Sequence, residues 1–177
     1  IFPAAYLVES RDGDVLTQRV LWELLQAQKA LLEADLRGEL APQGVENRPL
    51  LTDSFDANTG AGFKGVATLA DAVDGMLRLH PALGTDLEHA SDDQVKLAVS
   101  ALLLSPLTAE LTDLLSVKAQ RETRIVLGQE IDYWTSPALV FVVVADNAAL
   151  GGGSAGSVSG LAGNDVTLAK ERFSRRV

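Results

Sequence analysis

The stretch Ala138-Leu139-Val140-Phe141-Val142-Val143-Val144-Ala145 contains no polar or charged side chain, and half of its residues are valines. With eight residues it is too short for a membrane-spanning helix, which needs roughly 20 apolar residues. Branched Cβ atoms favour an extended backbone, and apolar side chains on both faces are typical of a strand that is covered on both sides. The stretch therefore predicts a central sheet strand over residues 138–145.

A partner for this strand lies near the start of the chain. Residues 4–9 are apolar and include an aromatic side chain, and a turn-forming cluster follows them at residues 10–14. We expect residues 4–9 to form a buried strand that pairs with the central one. Thr17 then fits the N-cap of a long helix whose apolar residues recur at 3.6-residue spacing, and Gly38 fits its C-terminal stop.

The middle of the chain divides into an irregular part and a helical part. Residues 41–65 contain two prolines and four glycines with little periodicity, so no strand is predicted there. Residues 68–115 predict three or more short helices. Thr68 fits the N-cap of the first, Ser91 opens the second, and Pro106 fits the first position of the third.

Three more elements are predicted towards the C-terminus. Residues 123–134 hold several β-branched and aromatic side chains, which favour a strand or hairpin. The Gly/Ser-rich residues 151–163 predict a loop. Asn164 or Asp165 then fits the N-cap of a final helix.

The order of elements, a strand, a helix, a helical insert, a strand and a final helix, predicts an α+β fold. The length of 177 residues fits a single domain. Within it we expect an α/β layer formed by about residues 1–40 and 137–177, with a helical insert at about residues 68–115.

Composition limits the class of partner. The formal net charge is -9 and the pI is about 4.6, so the average surface repels phosphate backbones and anionic headgroups. Nucleic acid is therefore not expected as a partner. The absence of cysteine excludes disulfides, thiolate metal sites and a cysteine nucleophile. The chain starts at Ile1 without a signal-peptide pattern, which leads us to expect a piece of a longer protein.

Two glycine motifs overlap in the Gly/Ser-rich segment. Gly151-x-Gly153-x-x-Gly156 matches the dinucleotide fingerprint. In that fingerprint the glycines themselves form the turn between a strand and a helix. Here further residues separate the glycines from the predicted strand before them and from the predicted helix after them. Residues 152–156 match the nucleophile elbow of hydrolases around Ser154, yet no histidine follows residue 89. A surface loop without phosphate or acyl chemistry is the favoured interpretation.

The remaining polar groups also favour structural roles. His80 and His89 are the only histidines, and a metal site needs three or four convergent ligands. Asp12-Gly13-Asp14 opens like a calcium loop but lacks its later ligands, and Asp92-Asp93 suits the positive end of a helix. We therefore predict no catalytic, cofactor-binding or metal-binding residues, no cofactor, and a protein that is not an enzyme.

Three segments resemble the first external loop of exporters of the resistance-nodulation-division (RND) superfamily, in its MMPL-like branch. The first is Ala5-Tyr6-Leu7-Val8-Glu9 followed by Gly13-Asp14-Val15-Leu16-Thr17 and a long amphipathic helix. The second is the run from Gly65 to Val73, and the third is the run from Pro137 to Asn147. The run from Leu168 to Phe173 resembles the helix that comes next in that family.

The resemblance implies a porter-type domain with a ferredoxin-like split βαβ unit, standing outside the membrane on the periplasmic or extracellular side. It implies partners in the transmembrane helices of the chain's own parent protein, with a second copy of the parent or a second external loop as further candidates. The implied ligand is a hydrophobic or amphiphilic small molecule or lipid that the transporter conveys or gates. An external binding or assembly module without a transport role is the alternative, and a small hydrolase or nucleotide-binding enzyme is the least favoured.

Overall fold

The computed structural model describes residues 2–41, 48–55, 62–106, 108–146, 150 and 174–175. The strands are β1 (Phe2–Glu9), β2 (Asp53–Phe55), β3 (Gly62–Lys64), β4 (Val66–Ala67), β5 (Gln120–Val126), β6 (Gln129–Thr135) and β7 (Ala138–Ala145). The helices are α1 (Gln18–Leu36), α2 (Leu69–Leu79) and α3 (Asp92–Leu104), and a 3₁₀ helix spans Ala109–Leu114. Helices and small antiparallel sheets occur together, which confirms the predicted α+β class.

The chain forms two compact units. The first comprises Ile1–Ala5, Gln28–Ala67 and Val142–Val177, and the second comprises Tyr6–Ala27 and Thr68–Phe141. Three continuous elements, β1, α1 and β7, contribute residues to both units. The finer expectations, a split βαβ unit and one domain with an insert, stay predictions.

β7 is the middle strand of a three-stranded sheet with the order β1-β7-β4. It pairs with β4 in antiparallel register, with Val66 opposite Val143. Both ends of β7 are buried and its middle three residues are half-buried, as the two-sided apolar pattern predicts. The central strand over 138–145, with a neighbouring strand over 4–9, is therefore confirmed. The prediction that residues 4–9 are buried is wrong, because they alternate between exposed and half-buried and Leu7 is 61% exposed. β1 begins earlier than predicted, at Phe2.

α1 begins and ends where its capping residues predict. The Thr17 hydroxyl accepts a hydrogen bond from the Val20 N–H at 3.4 Å, which satisfies one unpaired amide of the first turn. After Leu36 the chain turns at Gly38, whose φ of 71° lies in the left-handed region that favours glycine. Both predicted boundaries are confirmed.

Residues 41–65, for which an irregular segment is predicted, contain two short strands that the sequence did not place. β2 and β3 pair as a small antiparallel sheet, with Ser54 opposite Phe63. Beside them, the Thr52 N–H donates to the Val144 carbonyl at 3.1 Å, and the Asp146 N–H donates to the Leu50 carbonyl at 2.8 Å. Strands of three residues are too short for an alternating pattern, so local sequence carried no signal for them.

Asp35, near the end of α1, holds this region in place. Its side chain is buried, and its two carboxylate oxygens accept hydrogen bonds from the N–H groups of Leu50 at 2.7 Å and Leu51 at 3.1 Å. A buried carboxylate is stable only when such donors replace its hydration. Asp35 therefore acts as a backbone clamp for the segment that runs beside β7 in the first unit.

The helices of the second unit follow the predicted caps. Thr68 accepts a hydrogen bond from the Asp71 N–H at the start of α2, and Ser91 forms a reciprocal capping box with Gln94 at the start of α3. Their apolar faces share one aliphatic core with the first turns of α1. The fully buried members of this core include Val15, Leu16, Leu21, Leu69, Val73, Leu77, Leu87, Val95, Val99 and Leu139.

β5 and β6 form a hairpin over the region where a strand or hairpin was predicted. Their register runs from Gln120 opposite Thr135 to Val126 opposite Gln129. The two turn residues, Leu127 and Gly128, have φ values of 49° and 77°, as a type I′ turn requires. One face of the hairpin buries Val126 and Ile131, whereas the other side chains of β5 are exposed.

The short helix predicted to start at Pro106 is only partly correct. The observed element is a single 3₁₀ segment that starts at Ala109, after a turn in which the Thr108 hydroxyl donates to the Leu102 carbonyl at 2.5 Å. This hydrogen bond caps the end of α3, so Pro106 lies in a turn and not in a first helical turn. The predicted loop at 151–163 and the start of the final helix lie outside the described residues.

Candidate functional site

An open surface depression of about 390 Å³ lies where the chain leaves α2. It is lined by Arg78, Gly84, Thr85, Asp86 and His89. Arg78 comes from the last turn of α2, and the other four come from the connection between α2 and α3. Of the two histidines, His80 and His89, only His89 lines the depression.

Asp86 and His89 form the polar centre of the depression. The Oδ1 atom of Asp86 lies 2.7 Å from Nδ1 of His89, and it also accepts a hydrogen bond from the His89 backbone N–H at 3.0 Å. This double contact fixes the imidazole ring through Nδ1 and leaves Nε2 as the nitrogen that can serve a ligand. The His89 side chain is 71% exposed.

Arg78 and Asp74 connect the Asp86–His89 pair to α2. The Arg78 Nε donates to Oδ2 of Asp74 at 2.9 Å, and its Nη2 lies 3.7 Å from Oδ2 of Asp86. The other oxygen of Asp74 accepts the Leu87 N–H at 2.8 Å. Asp74 therefore binds both the guanidinium group and the backbone of the loop that carries the pair.

The charges of the pair reinforce one another. The hydrogen bond from His89 lowers the pKa of Asp86, and the hydrogen bond to Asp86 raises the pKa of His89. Asp74 raises the pKa of Arg78, mainly through their hydrogen bond. The protonated imidazole and the ionised carboxylate are therefore favoured together.

A carboxylate-oriented imidazole is the arrangement that general-base catalysis uses. The depression around this one is open and polar, whereas substrate pockets bury most of their ligand against apolar walls. The same contacts also stabilise the connection after α2, because Asp86 closes the turn that contains His89. The Asp86–His89 pair can accept and release a proton. Stabilising the loop after α2 is by itself a sufficient reason for the contacts of this pair.

A second polar centre lies within the core of the second unit. The Lys96 side chain is 1% exposed, and its Nζ lies 2.5 Å from Oδ2 of Asp14. The same Nζ donates to the Trp134 carbonyl at 2.7 Å and lies 4.8 Å from the centre of the Tyr133 ring. A buried ammonium group needs such partners because it has lost its hydration.

The other oxygen of Asp14 extends this centre to the backbone. Its Oδ1 accepts hydrogen bonds from the N–H groups of Leu16 at 3.0 Å and Ser136 at 3.1 Å. Burial lowers the pKa of Lys96, and the contact with Asp14 opposes that shift. The cluster therefore ties the loop before α1 to α3 and to the junction between β6 and β7.

The other polar residues named in the sequence motifs make contacts that stabilise the surface or the ends of helices. Asp12 forms an exposed ion pair with Arg19 at 3.1 Å, whereas Asp14 contacts the buried Lys96. The Asp92 Oδ1 accepts the Gln18 N–H at 2.7 Å and so caps α1 from α3. His80 ends α2 through its backbone N–H, which donates to the Met76 carbonyl. The glycine motifs at residues 151–156 lie outside the described residues.

The sequence pattern does not mark Lys96 or Asp35 as a polar centre. Asp92, Lys96 and Ser100 recur every four residues along α3, which is typical of a solvent-exposed polar face, so the burial of Lys96 carries no local signal. For Asp35 no local signal exists, since its partners Leu50 and Leu51 follow after a stretch without periodicity.

The residues that the structure describes contain no group of three or more His, Asp or Glu side chains placed to hold a metal ion. Nor does that part of the chain include a helix with the length and apolar character that membrane crossing requires. Comparisons with protein-family models, with curated proteins and with solved structures each found no match to this chain.

Proposed function

We propose that this chain is an external domain of an RND-type, MMPL-like membrane transporter that helps to convey or gate hydrophobic or amphiphilic substrates. In this proposal the membrane part of the parent protein couples transport to a flow of protons or other ions. The domain contributes by rigid-body motion and by contact with the substrate, and it is not an enzyme.

The main support for the proposal is that the segments which resemble these exporters supply the strands of one sheet. Three separate segments resemble the external loop of these exporters, and they contain β1, β4 and β7. These strands belong to one sheet, in the order β1-β7-β4. Segments that resemble one family and also form one sheet support a relationship between this chain and that family more strongly than any single motif does.

The helices that follow two of these strands add to this support. β1 leads through a short turn into α1, and β4 is separated from α2 only by the cap residue Thr68. The resemblance expects a helix after both segments. An external assembly module without transport activity is the second candidate, and it is favoured by the outer edge of β5, with which no strand of the described residues pairs.

The first test is the topology of the parent protein. The chain has no cysteine, so Val117→Cys introduces a single thiol at a fully exposed position in this segment. A membrane-impermeant maleimide applied to intact cells should label this variant in a parent protein whose other cysteines have been removed. Labelling only after permeabilisation, or a parent reading frame without membrane segments, would contradict the proposal.

A further inference from the structure

The β5–β6 hairpin leaves one strand edge open. β5 pairs with β6, and within the described part of the chain no strand pairs with its other side. The residues of β5 from Gln120 to Ile125 are exposed. Ile125, a large aliphatic side chain, is 68% exposed on this strand. An open edge with an exposed aliphatic residue is a template for pairing with another strand.

The hairpin geometry identifies the backbone groups that point outwards. A two-residue turn places its flanking residues, Val126 and Gln129, in a pair that exchanges hydrogen bonds, and bonded and non-bonded pairs alternate from there. Arg121, Thr123 and Ile125 then belong to pairs that are not bonded to β6. Their N–H and C=O groups consequently point towards the open edge.

The sequence of β5 is self-complementary about Thr123. When two copies pair antiparallel with Thr123 opposite Thr123, Glu122 of each copy stands opposite Arg124 of the other. Arg121 stands opposite Ile125 in the same register. Opposite charges in directly facing positions stabilise a sheet, and threonine pairs are also favourable.

The charges select this register over its neighbours. The nearest shifts of one β5 against the other that still pair the outward-pointing backbone groups place either Glu122 or Arg124 at the centre. A centre at Glu122 places two glutamates face to face, and a centre at Arg124 places two arginines face to face. Both arrangements are destabilising. In the register about Thr123 the Glu122–Arg124 pairs are of the non-bonded type, in which facing side chains come closest.

The side chains needed for this contact are available on the surface. Glu122 and Arg124 form an ion pair within one chain, and their side chains remain 55% and 50% exposed. Arg124 also stacks on the Tyr133 ring at 4.2 Å, which holds its guanidinium group along the hairpin. Pairing of two copies would extend this ion pair into a network of four charges.

We propose that β5 is a homodimerisation edge at which a second copy of this chain adds its own β5 in antiparallel register about Thr123. The contact is isologous and closes after two copies, as two-fold symmetry requires. About six backbone hydrogen bonds and four facing charges form a small interface, so association is weak and salt-sensitive. This inference does not depend on the transport role.

Charge reversal provides the main test. Sedimentation equilibrium over a concentration series should give a monomer–dimer equilibrium for the wild type. Glu122→Arg and Arg124→Glu each create two like-charge pairs per dimer and should weaken association by about tenfold or more. The double variant E122R/R124E restores opposite charges in every facing pair and should recover most of the wild-type affinity. Thermal unfolding of all variants checks that each is folded.

Cross-linking tests the register independently. Thr123→Cys places two thiols beside the two-fold axis, so a short bismaleimide should join two copies efficiently. Val117→Cys is the matched control, because both positions are exposed while the two copies of residue 117 lie at opposite ends of the paired strands. A wild type that stays monomeric throughout, dimerisation unaffected by the single reversals, or equal cross-linking of both cysteine variants would overturn the proposal.

Discussion

The Nζ of Lys96 lies 2.5 Å from Oδ2 of Asp14, although 82 residues separate them in the chain. The ammonium group is almost completely buried, and the carboxylate holds two backbone N–H groups with its other oxygen. One ion pair therefore joins a loop, a helix and the β6–β7 junction.

Breaking this pair should be costly because it leaves a buried charge without its partner. Asp14→Ala should lower the free energy of unfolding by about 3–5 kcal/mol, measured by urea denaturation. The double variant Lys96→Met/Asp14→Asn removes both charges and keeps a similar side-chain volume. It should lower the free energy of unfolding by less than either single substitution does. Lys118→Met, at an exposed position, is the control. An Asp14→Ala variant as stable as the wild type would contradict the assigned role.

The Asp86–His89 contact should be visible in the titration of His89. NMR of the imidazole Cε1–H signal should give a pKa above the ordinary value of 6.5, and Asp86→Asn should lower it because the charge-assisted hydrogen bond is lost. Glu88→Gln is the matched control and should lower it less, since Glu88 acts only through charge. A titration unchanged by Asp86→Asn would refute the contact.

The same pair gives stability a defined pH window. The folded pKa of His89 is raised, so its contribution is present below pH 6.5 and is lost as the pH rises through the folded value. The folded pKa of Asp86 is lowered, so its contribution is present above pH 3.8 and is lost as the pH falls through the folded value. The stability difference between wild type and Asp86→Asn should therefore be largest between these limits.

Gly65 should tolerate no side chain. Its φ is 63°, and a Cβ atom there would lie 2.5 Å from the Cβ of Leu51. Gly65→Ala should therefore destabilise the protein by about 2–4 kcal/mol through strain and overlap together. Gly13→Ala is the control, because Gly13 also has positive φ but has open space around its Cβ position, and it should cost only about 1 kcal/mol. Equal effects of the two substitutions would contradict the close approach to Leu51.

Replacing Leu127 in the hairpin turn by a polar residue should increase the stability of the hairpin. Leu127 is the only residue other than glycine with positive φ in the described part of the chain, and its side chain is 57% exposed. Leu127→Asn should stabilise the hairpin by about 0.5–1 kcal/mol, because asparagine tolerates this conformation. Thermal unfolding measures the effect. Destabilisation by Leu127→Asn would show that the leucine makes a contact that its exposure conceals.

The sequence predicted the elements whose signals are local. The two-sided apolar run of β7 and the capping residues Thr17, Thr68 and Ser91 depend on neighbours along the chain, and all of them lie where expected. β2 and β3 were missed because their stability comes from pairing across a gap and not from their own composition.

The polar centres were harder to predict because they depend on long-range contacts. The Asp12-Gly13-Asp14 pattern does not indicate a buried ion pair, because the partner of Asp14 is Lys96 on α3, far along the chain. His89 and Asp86 are close in sequence, yet only the turn between them brings their side chains into one hydrogen bond. Nothing in the spacing distinguishes that turn from a solvated loop.

The central claim is the transport role, and the most direct measurement is substrate extrusion by the parent protein. The full-length protein would be reconstituted in vesicles and compared with a form in which residues 1–177 are replaced by a flexible linker, with membrane insertion of both forms verified. Efflux of a fluorescent amphiphile under an imposed proton gradient should require this domain and fall to the background of empty vesicles without it. Equal efflux by both forms would contradict the account.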